Sequence, residues 1–350
     1  MKLLTKALKE IEGLDKRALE KAKKRLDTRM KPQESLGKLE KVALQVAGIT
    51  GKVVNNVDRR CHLVASADNG IVDEGVSSCP VEYTRIVSEA MLNNVAAIGI
   101  LCKGLGVDFK LVDIGIQDEI PRNYPNLYRK SVAKGTKNFR YEPAMTMDEC
   151  VKAIETGIEM IGDLKGDYDI FSNGEMGIAN TTTSSAVLYA LTQAPLDEIV
   201  GRGGGLSDDG LIKKKRVIKD AVEKYELIGK DPVEILRHVG GLDIACMVGM
   251  YLGAAKYRKP MLIDGFISGV AALAAYKINP HTKDYMIATH KSEEPGVRVI
   301  MEELSMDAML SMEMRLGEGT GAVLAYPIVS GAMEVIKGMK TVDEVYDLFG

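Results

Sequence analysis

The chain has 350 residues, 46% hydrophobic and 27% charged, with a formal net charge of −3. That balance is ordinary for a globular chain of one large domain or two modest ones, and it gives no support to nucleic-acid binding. Trp is absent and aromatics make up 5%, so base-stacking platforms are not expected. The five cysteines are widely spaced and form no CxxC pair, which argues against a zinc or redox motif. The amphipathic, charged N-terminus lacks a signal-peptide core, and no apolar run of about 18 residues stands out for a membrane span. A reduced, cytoplasmic protein is expected.

Residues 1–50 have a helical pattern, broken at "KPQESLG" (31–37) into two helices. Beyond them, short β-branched runs alternate with longer helical stretches. "HLVASADNG" (62–70), "FKLVDIGI" (109–116), "YDIFSNGEMG" (168–177), "PMLIDGF" (260–266) and "YMIATHKS" (285–292) each start apolar and end in a polar turn. "LDEIVGRGGG" (196–205) is a weaker sixth candidate. Helical patterns lie near 81–104, 146–164, 180–193, 207–224, 241–257 and 265–278. The alternation predicts an α/β fold, a parallel sheet with helices on both faces. In such sheets ligands bind at the carboxyl ends of the strands, where these polar, glycine-bearing segments would converge. Near the C-terminus, "SMDAMLSMEM" (305–314) and "VLAYPIVSGAMEVI" (323–336) read as helices on either side of a glycine hinge, "RLGEGTGA" (315–322).

Two segments fit anion binding. "GRGGG" (201–205), followed by "LSDDGLIKKK", lets backbone N–H groups approach a phosphate at a helix start, with a lysine nearby. It is neither a Walker A loop nor a dinucleotide fingerprint. In "GEMGIANTTTSSA" (174–186), Asn180 can cap a helix whose first turn carries Thr181 and Thr182. Plain capping is the alternative reading of that run, and the basic run Lys213–Arg216 reads most simply as a solvated face. Four scattered histidines and the absence of GxSxG leave a carboxylate as the acid–base group. Glu318 and Glu175, each beside glycine, are the candidates. A glutamate partly desolvated among apolar helices could accept a proton near neutral pH.

Taken in order, "KPQESLGKLE" (31–40), "ADNGIVDEGVSSCP" (67–80), "GEMGIANTT" (174–182), "GRGGG", "DGFISGVAAL" (264–273), "HKSEEPG" (290–296) and "RLGEGTGA" resemble the nicotinate-nucleotide:dimethylbenzimidazole phosphoribosyltransferases. The resemblance spans nearly the whole chain. It implies a large Rossmann-like domain, here 51–305, with a small helical bundle from 1–50 and 306–350. It also implies a dimer and no metal or redox cofactor. Glu318 is implied as general base, with Glu175 in the same site. Lys214 and the glycine loops, with Gly201, Gly203 and Gly204, are implied to hold the 5′-phosphate. Ser292 is implied to lie near the nicotinate carboxylate, and Ser77, Gly177, Asn180, Thr181, Thr182, Asp264, Gly319 and Gly321 to bind substrate. The implied reaction moves the phosphoribosyl group of nicotinate mononucleotide to a cobamide lower-ligand base, with inversion.

Several positions depart from the family pattern. Asn69 stands where the family usually has His, Ala179 and Gly204 replace Gly and Thr, and "AMLNNV" (90–95) replaces a glycine-bearing segment. Ile86 replaces a glutamine of the acceptor pocket, removing an amide donor and acceptor. Ile86 is therefore expected to line that pocket and bias it away from dimethylbenzimidazole. Some relatives act as pairs of related chains and attach phenols. Benzimidazoles, purines and phenols all remain open as acceptors, as does a heterodimer in which this chain is a low-activity partner. A nucleosidase that admits water is a further alternative.

Overall fold

The computed structural model describes residues 2–349. The chain opens with α1 (Lys2–Glu10), α2 (Lys16–Asp27) and α3 (Lys38–Thr50). Three helices replace the expected two, because Asp15 starts α2 by accepting from the Ala18 N–H at 2.8 Å. Next come β1 (Arg60–Ala67), α4 (Tyr83–Leu92), α5 (Ala97–Leu105), β2 (Asp108–Gly115), β3 (Leu127–Arg129), α6 (Met147–Leu164) and β4 (Ile170–Met176). Then follow α7 (Asn180–Thr192), α8 (Leu196–Ile199), α9 (Asp208–Lys224), α10 (Pro232–Val239), α11 (Leu242–Lys256), β5 (Met261–Ile263) and α12 (Phe266–Ile278). The chain ends through β6 (Met286–Ala288), β7 (His290–Lys291), α13 (Val297–Leu304), β8 (Leu310–Ser311), α14 (Thr320–Gly338) and α15 (Val342–Phe349).

Six strands form one parallel sheet in the order β3-β2-β1-β4-β5-β6. The chain builds outward from β1 to β3, then returns to β4 on the other side of β1. The carboxyl ends of β1 and β4 therefore flank the point where the order reverses, and a crevice opens there. Side chains alternate across the sheet. Leu63, Ala65, Phe171, Met261 and Ile263 join one core with α6, α7, α11 and α12. Val64, Leu111, Ile170 and Leu262 join the other with α2, α3, α5 and α14. Helices thus cover both faces, which is why these strands read as nearly unbroken apolar runs. α6 and α11 meet at glycines: a Cβ on Gly157 would lie 2.0 Å from the Cys246 carbonyl oxygen.

Three local expectations fail. Residues 196–205 hold a single helical turn and a loop, not a strand, since Pro195 and four glycines leave too few residues to join the ladder. Segment 305–314 is extended rather than helical. Its backbone is claimed by the neighbouring chain, with Leu310 N–H donating to the Thr289 carbonyl at 2.8 Å and Glu293 N–H to Met314 at 3.0 Å. The pattern over 81–104 divides into α4 and α5 at Asn93–Ala96. Tyr83–Leu105 is apolar enough by composition to cross a membrane, but each of its two helices is only about 15 Å long against about 30 Å of hydrocarbon. The short β3 and α10 were not legible in the sequence pattern.

Candidate active site

A cavity of about 290 Å³ lies at the carboxyl end of the sheet. β4 delivers Glu175 to its wall. One Glu175 oxygen accepts from Asn180 Nδ2 at 2.5 Å, and the same amide donates to Asp243 Oδ2 at 3.1 Å. The other Glu175 oxygen accepts from the Glu318 N–H at 3.4 Å. Burial pushes the Glu175 carboxyl up to about 8; the nearby Asp243 and Asp264 carboxylates add to the rise and Asn180 opposes it. Burial likewise lifts Asp243 to about 6. Asn180 therefore bridges two acids that resist ionising together.

The glycine hinge packs directly against this cluster. Gly317, Glu318 and Gly319 all take left-handed backbone, with φ of 86°, 62° and 86°. A non-glycine residue costs about 1–2 kcal/mol there, so Glu318 is held by its surroundings. A Cβ on Gly317 would lie 2.5 Å from Glu175 Oε1, one on Gly319 1.9 Å from His62, and one on Gly321 1.9 Å from His290. The glycines make room for three side chains pressing on the loop. Asp264 accepts from the N–H groups of Gly319 at 3.2 Å and Ala322 at 3.1 Å, capping α14 from outside the helix. Glu318 Oε2 accepts from the Ile98 N–H at 3.2 Å, in the first turn of α5. Burial raises the Glu318 carboxyl above its ordinary range, Ile98 opposes this, and Asp264 adds to it.

A basic corner lies opposite. Lys214 on α9 is fully buried while its neighbours Lys213 and Arg216 are exposed. Its Nζ donates to Thr181 Oγ1 at 2.9 Å and to the Gly201 carbonyl at 3.1 Å. Burial lowers its ammonium to about 8, opposed by the Glu294 carboxylate. The loop 201–205 is pinned to the segment before α4 by Ser78 Oγ, which donates to the Gly204 carbonyl at 2.7 Å. Among the described residues, no group of three or more His, Cys, Asp or Glu side chains is placed to hold a metal ion.

A phosphoribosyltransferase family model matches residues 11–345. The chain belongs to this family. It is 44% identical over 345 residues to the nicotinate-nucleotide–dimethylbenzimidazole phosphoribosyltransferase of Clostridium tetani, covering 98% of this chain and 95% of that one. With the enzyme of that name from Ruminiclostridium cellulolyticum the identity is 45% over 336 residues, covering 96% and 95%. A crystal structure of the Thermus thermophilus enzyme superposes with a TM-score of 0.90 at 34% identity, covering 95% of this chain and 99% of that one. The fold class expected from strand–helix alternation is therefore the one found, and this transferase acts on small molecules.

Of the positions singled out in the sequence, Ser77, Glu175, Gly177, Asn180, Thr181, Gly203, Gly204, Asp264 and Ser292 line the transferase's cavity. Gly317, beside Glu318, lines it too. Lys214 sits one layer back, reaching the wall through Thr181. Gly201, Gly319 and Gly321 are not in the wall: their missing Cβ atoms accommodate Glu294, His62 and His290. Thr182 is buried, and its hydroxyl has no hydrogen-bond partner among the described residues. Ile86 does not reach the cavity. α4 buries Thr84, Ser88, Met91 and Leu92, and Ile86, two residues from Thr84, falls on the opposite face at 45% exposure. The basic run Lys213–Arg216 is not uniformly a solvated face either, because Lys214 turns inward.

Several site residues escaped sequence reasoning. Glu294 and Arg315 line the cavity and stand inside quoted motifs, but nothing marked their direction. Asp243 is the lone acid in an otherwise apolar helix, α11, a signal that could have been read. His62 opens one strand run and His290 lies near the end of another, and they look like scattered histidines until the fold brings them under the hinge glycines.

Proposed function

We propose that this transferase moves the phosphoribosyl group of nicotinate mononucleotide to a cobamide lower-ligand acceptor, 5,6-dimethylbenzimidazole or a related base or phenol. The observation that carries the reading is the pairing, at one cavity, of a glutamate hinge with a buried lysine corner. The relatives' names supply the substrate pair. In the proposed reaction the acceptor's nucleophilic atom forms a bond to C1′ from the face opposite nicotinate. The C1′–N bond breaks with its electron pair going to the nicotinate ring, and the configuration inverts from β to α. The acceptor proton passes to Glu318. Its partly buried carboxyl, which accepts from the Ile98 N–H, suits that role, while burial pushes the Glu175 carboxyl up to about 8, so that this group keeps its proton at neutral pH. Lys214, acting through Thr181, and the α7 start hold the 5′-phosphate, and Ser292 faces the nicotinate carboxylate. No cofactor is assigned a role.

We also read residues 51–305 as the catalytic body and 1–50 with 306–350 as a smaller helical lobe. In support, α2, α3 and α14 pack on one another. A dimer, with itself or with a related chain, is supported by the exposed apolar face of Tyr83, Ile86, Val95 and Ile100. Free thiols at all five cysteines suit a cytoplasmic setting. The test is incubation of the pure protein with nicotinate mononucleotide and a panel of benzimidazoles, purines and phenols, read by mass spectrometry. A phosphoribosylated acceptor plus nicotinate is expected. Ribose 5-phosphate formed without acceptor would mean that water is the nucleophile. No turnover without a second related chain would make this the low-activity partner.

A further inference from the structure

We infer that His62, on β1 behind the cavity wall, is a positioning residue that holds the Glu318 hinge through its backbone carbonyl. The inference rests on the reading of Glu318 as the base. His62 is fully buried, and its Nε2 lies 2.9 Å from the Glu318 carbonyl oxygen. A carbonyl can only accept, so Nε2 carries the proton. Nδ1 lies 2.6 Å from Ser172 Oγ on β4. Burial lowers the imidazole to about 4, so the ring stays neutral at working pH and Nδ1 accepts the Ser172 hydroxyl proton.

Ser172 Oγ in turn accepts from the Tyr326 hydroxyl at 2.9 Å, whose one proton is shared with the Cys61 carbonyl at 2.8 Å. Tyr326 belongs to α14, the helix that Glu318 precedes. The chain Glu318–His62–Ser172–Tyr326 therefore ties both the hinge and its following helix to two adjacent strands. Two further facts show how tightly the ring is seated. Only glycine fits at 319, because a Cβ would strike the ring. Glu318 keeps a left-handed φ of 62° that a glutamate does not choose by itself. A buried histidine that merely fills the core needs neither feature. The groups facing the ring are Ser172 and the Glu318 backbone, with Phe109 stacked at 6.3 Å.

Losing the Nε2–H frees the carbonyl and lets the hinge relax, and misplacing a catalytic group by about 1 Å costs roughly a hundredfold in rate. His62→Phe should lower kcat about 10- to 100-fold and leave the KM for nicotinate mononucleotide within about threefold. His62→Gln, whose amide nitrogen reaches the Nε2 position, should recover most of the rate. His62→Asn, whose nitrogen falls near Nδ1, should behave like Phe. In a Glu318→Gln background His62→Phe should add less than about a twofold loss. Should His62→Phe fail to fold, the Gln and Asn pair carries the comparison. A full multiplicative loss in the Glu318→Gln background, or Gln no better than Asn, overturns the role of His62 and leaves the transfer reading intact. Absence of transfer by the unaltered enzyme, or unimpaired turnover by Glu318→Gln alone, overturns that reading and this inference with it.

Discussion

α7 and α14 both start at the cavity from a left-handed residue, Ala179 at φ 69° and Gly319 at φ 86°, and neither start has a capping hydrogen bond from that residue's side chain. Their electrostatics differ. The first amides of α14 are taken by the Asp264 carboxylate, with Glu175 close behind. The start of α7 meets the buried Lys214 ammonium at Thr181, and the Asn180 side chain turns away to the acids. A glycine-bearing helix start attracts anions through its dipole, and in the proposed reaction the α7 start, with Lys214 behind it, serves the substrate anion. The other spends its dipole on the internal Asp264 carboxylate and follows Glu318, the base of the proposed reaction. Backbone shape made the two segments look alike in the sequence, and the charge brought to each start separates their roles.

The comparison breaks first at Glu318. Glu318→Gln should lower turnover by about 10²- to 10⁴-fold, the usual size of a general-base contribution, with binding of nicotinate mononucleotide nearly unchanged. Glu175→Gln should cost less than about tenfold, because burial already keeps that carboxyl neutral at pH 7. Equal losses in the two variants, measured as kcat, would erase the distinction between base and proton holder.

The α7 side is tested by Lys214→Met, which keeps most of the buried volume and removes the charge. Binding of nicotinate mononucleotide should weaken about 10- to 100-fold, the size of a lost charge-assisted hydrogen bond, with free nicotinate little affected. Burial has lowered the Lys214 ammonium to about 8, so its charge is present below that pH and lost as pH rises through it. Preference for the nucleotide over free nicotinate should therefore fall above pH 8. The ratio is the proper readout, because ionisation of Glu175 in the same range weakens both anions. A ratio flat with pH in the unaltered enzyme would place the lysine elsewhere.

Ala179 offers a smaller test of the same pair of helix starts. Its left-handed backbone costs about 1–2 kcal/mol for a residue with a Cβ, and glycine gives back about 0.4–1 kcal/mol through its freer unfolded chain. Ala179→Gly should stabilise the protein by about 0.5–1 kcal/mol, the difference between those costs, measured by denaturant unfolding. A loss of stability would mean that the Ala179 methyl, buried beside the cavity, contributes more by packing than its backbone costs.

How much of this was legible in the sequence depended on whether a feature is local. β1, β2 and β4, the helices near 146–164, 180–193, 207–224, 241–257 and 265–278, and the crevice at the strand ends followed from periodicity and turn chemistry. The 305–314 segment did not, because its extended form is set by hydrogen bonds to Thr289 and Glu293 rather than by its own helical composition. In the site, the glutamates stood out by residue type, whereas Lys214 came from the family resemblance and its run by itself read as a solvated face. The reason for the glycines did not: Gly201, Gly319 and Gly321 answer to Glu294, His62 and His290, which are distant in sequence. The exposure of Ile86 was hidden for a related cause, since a motif position names a residue but not the helix face it occupies.

That face gives the smallest expected effect. On α4 the buried side is defined by Thr84, Ser88, Met91 and Leu92, whose spacing marks one stripe of the helix. At about 100° per residue, Ile86 lies some 200° from Thr84, and it is 45% exposed. Within one chain its side chain is not in the wall of the cavity that Glu175 and Gly317 line. Ile86→Gln should therefore leave the ratio of kcat/KM for dimethylbenzimidazole to that for phenol within about twofold, the change at an exposed site being within about 0.5 kcal/mol. The measurement needs a single preparation with any partner chain held constant. A shift toward dimethylbenzimidazole would show that Ile86 meets the acceptor after all. The exposed face of Tyr83, Ile86, Val95 and Ile100 would then be covered in the working enzyme by a second chain that completes the acceptor side, while the phosphate side at α7 is built from one chain alone.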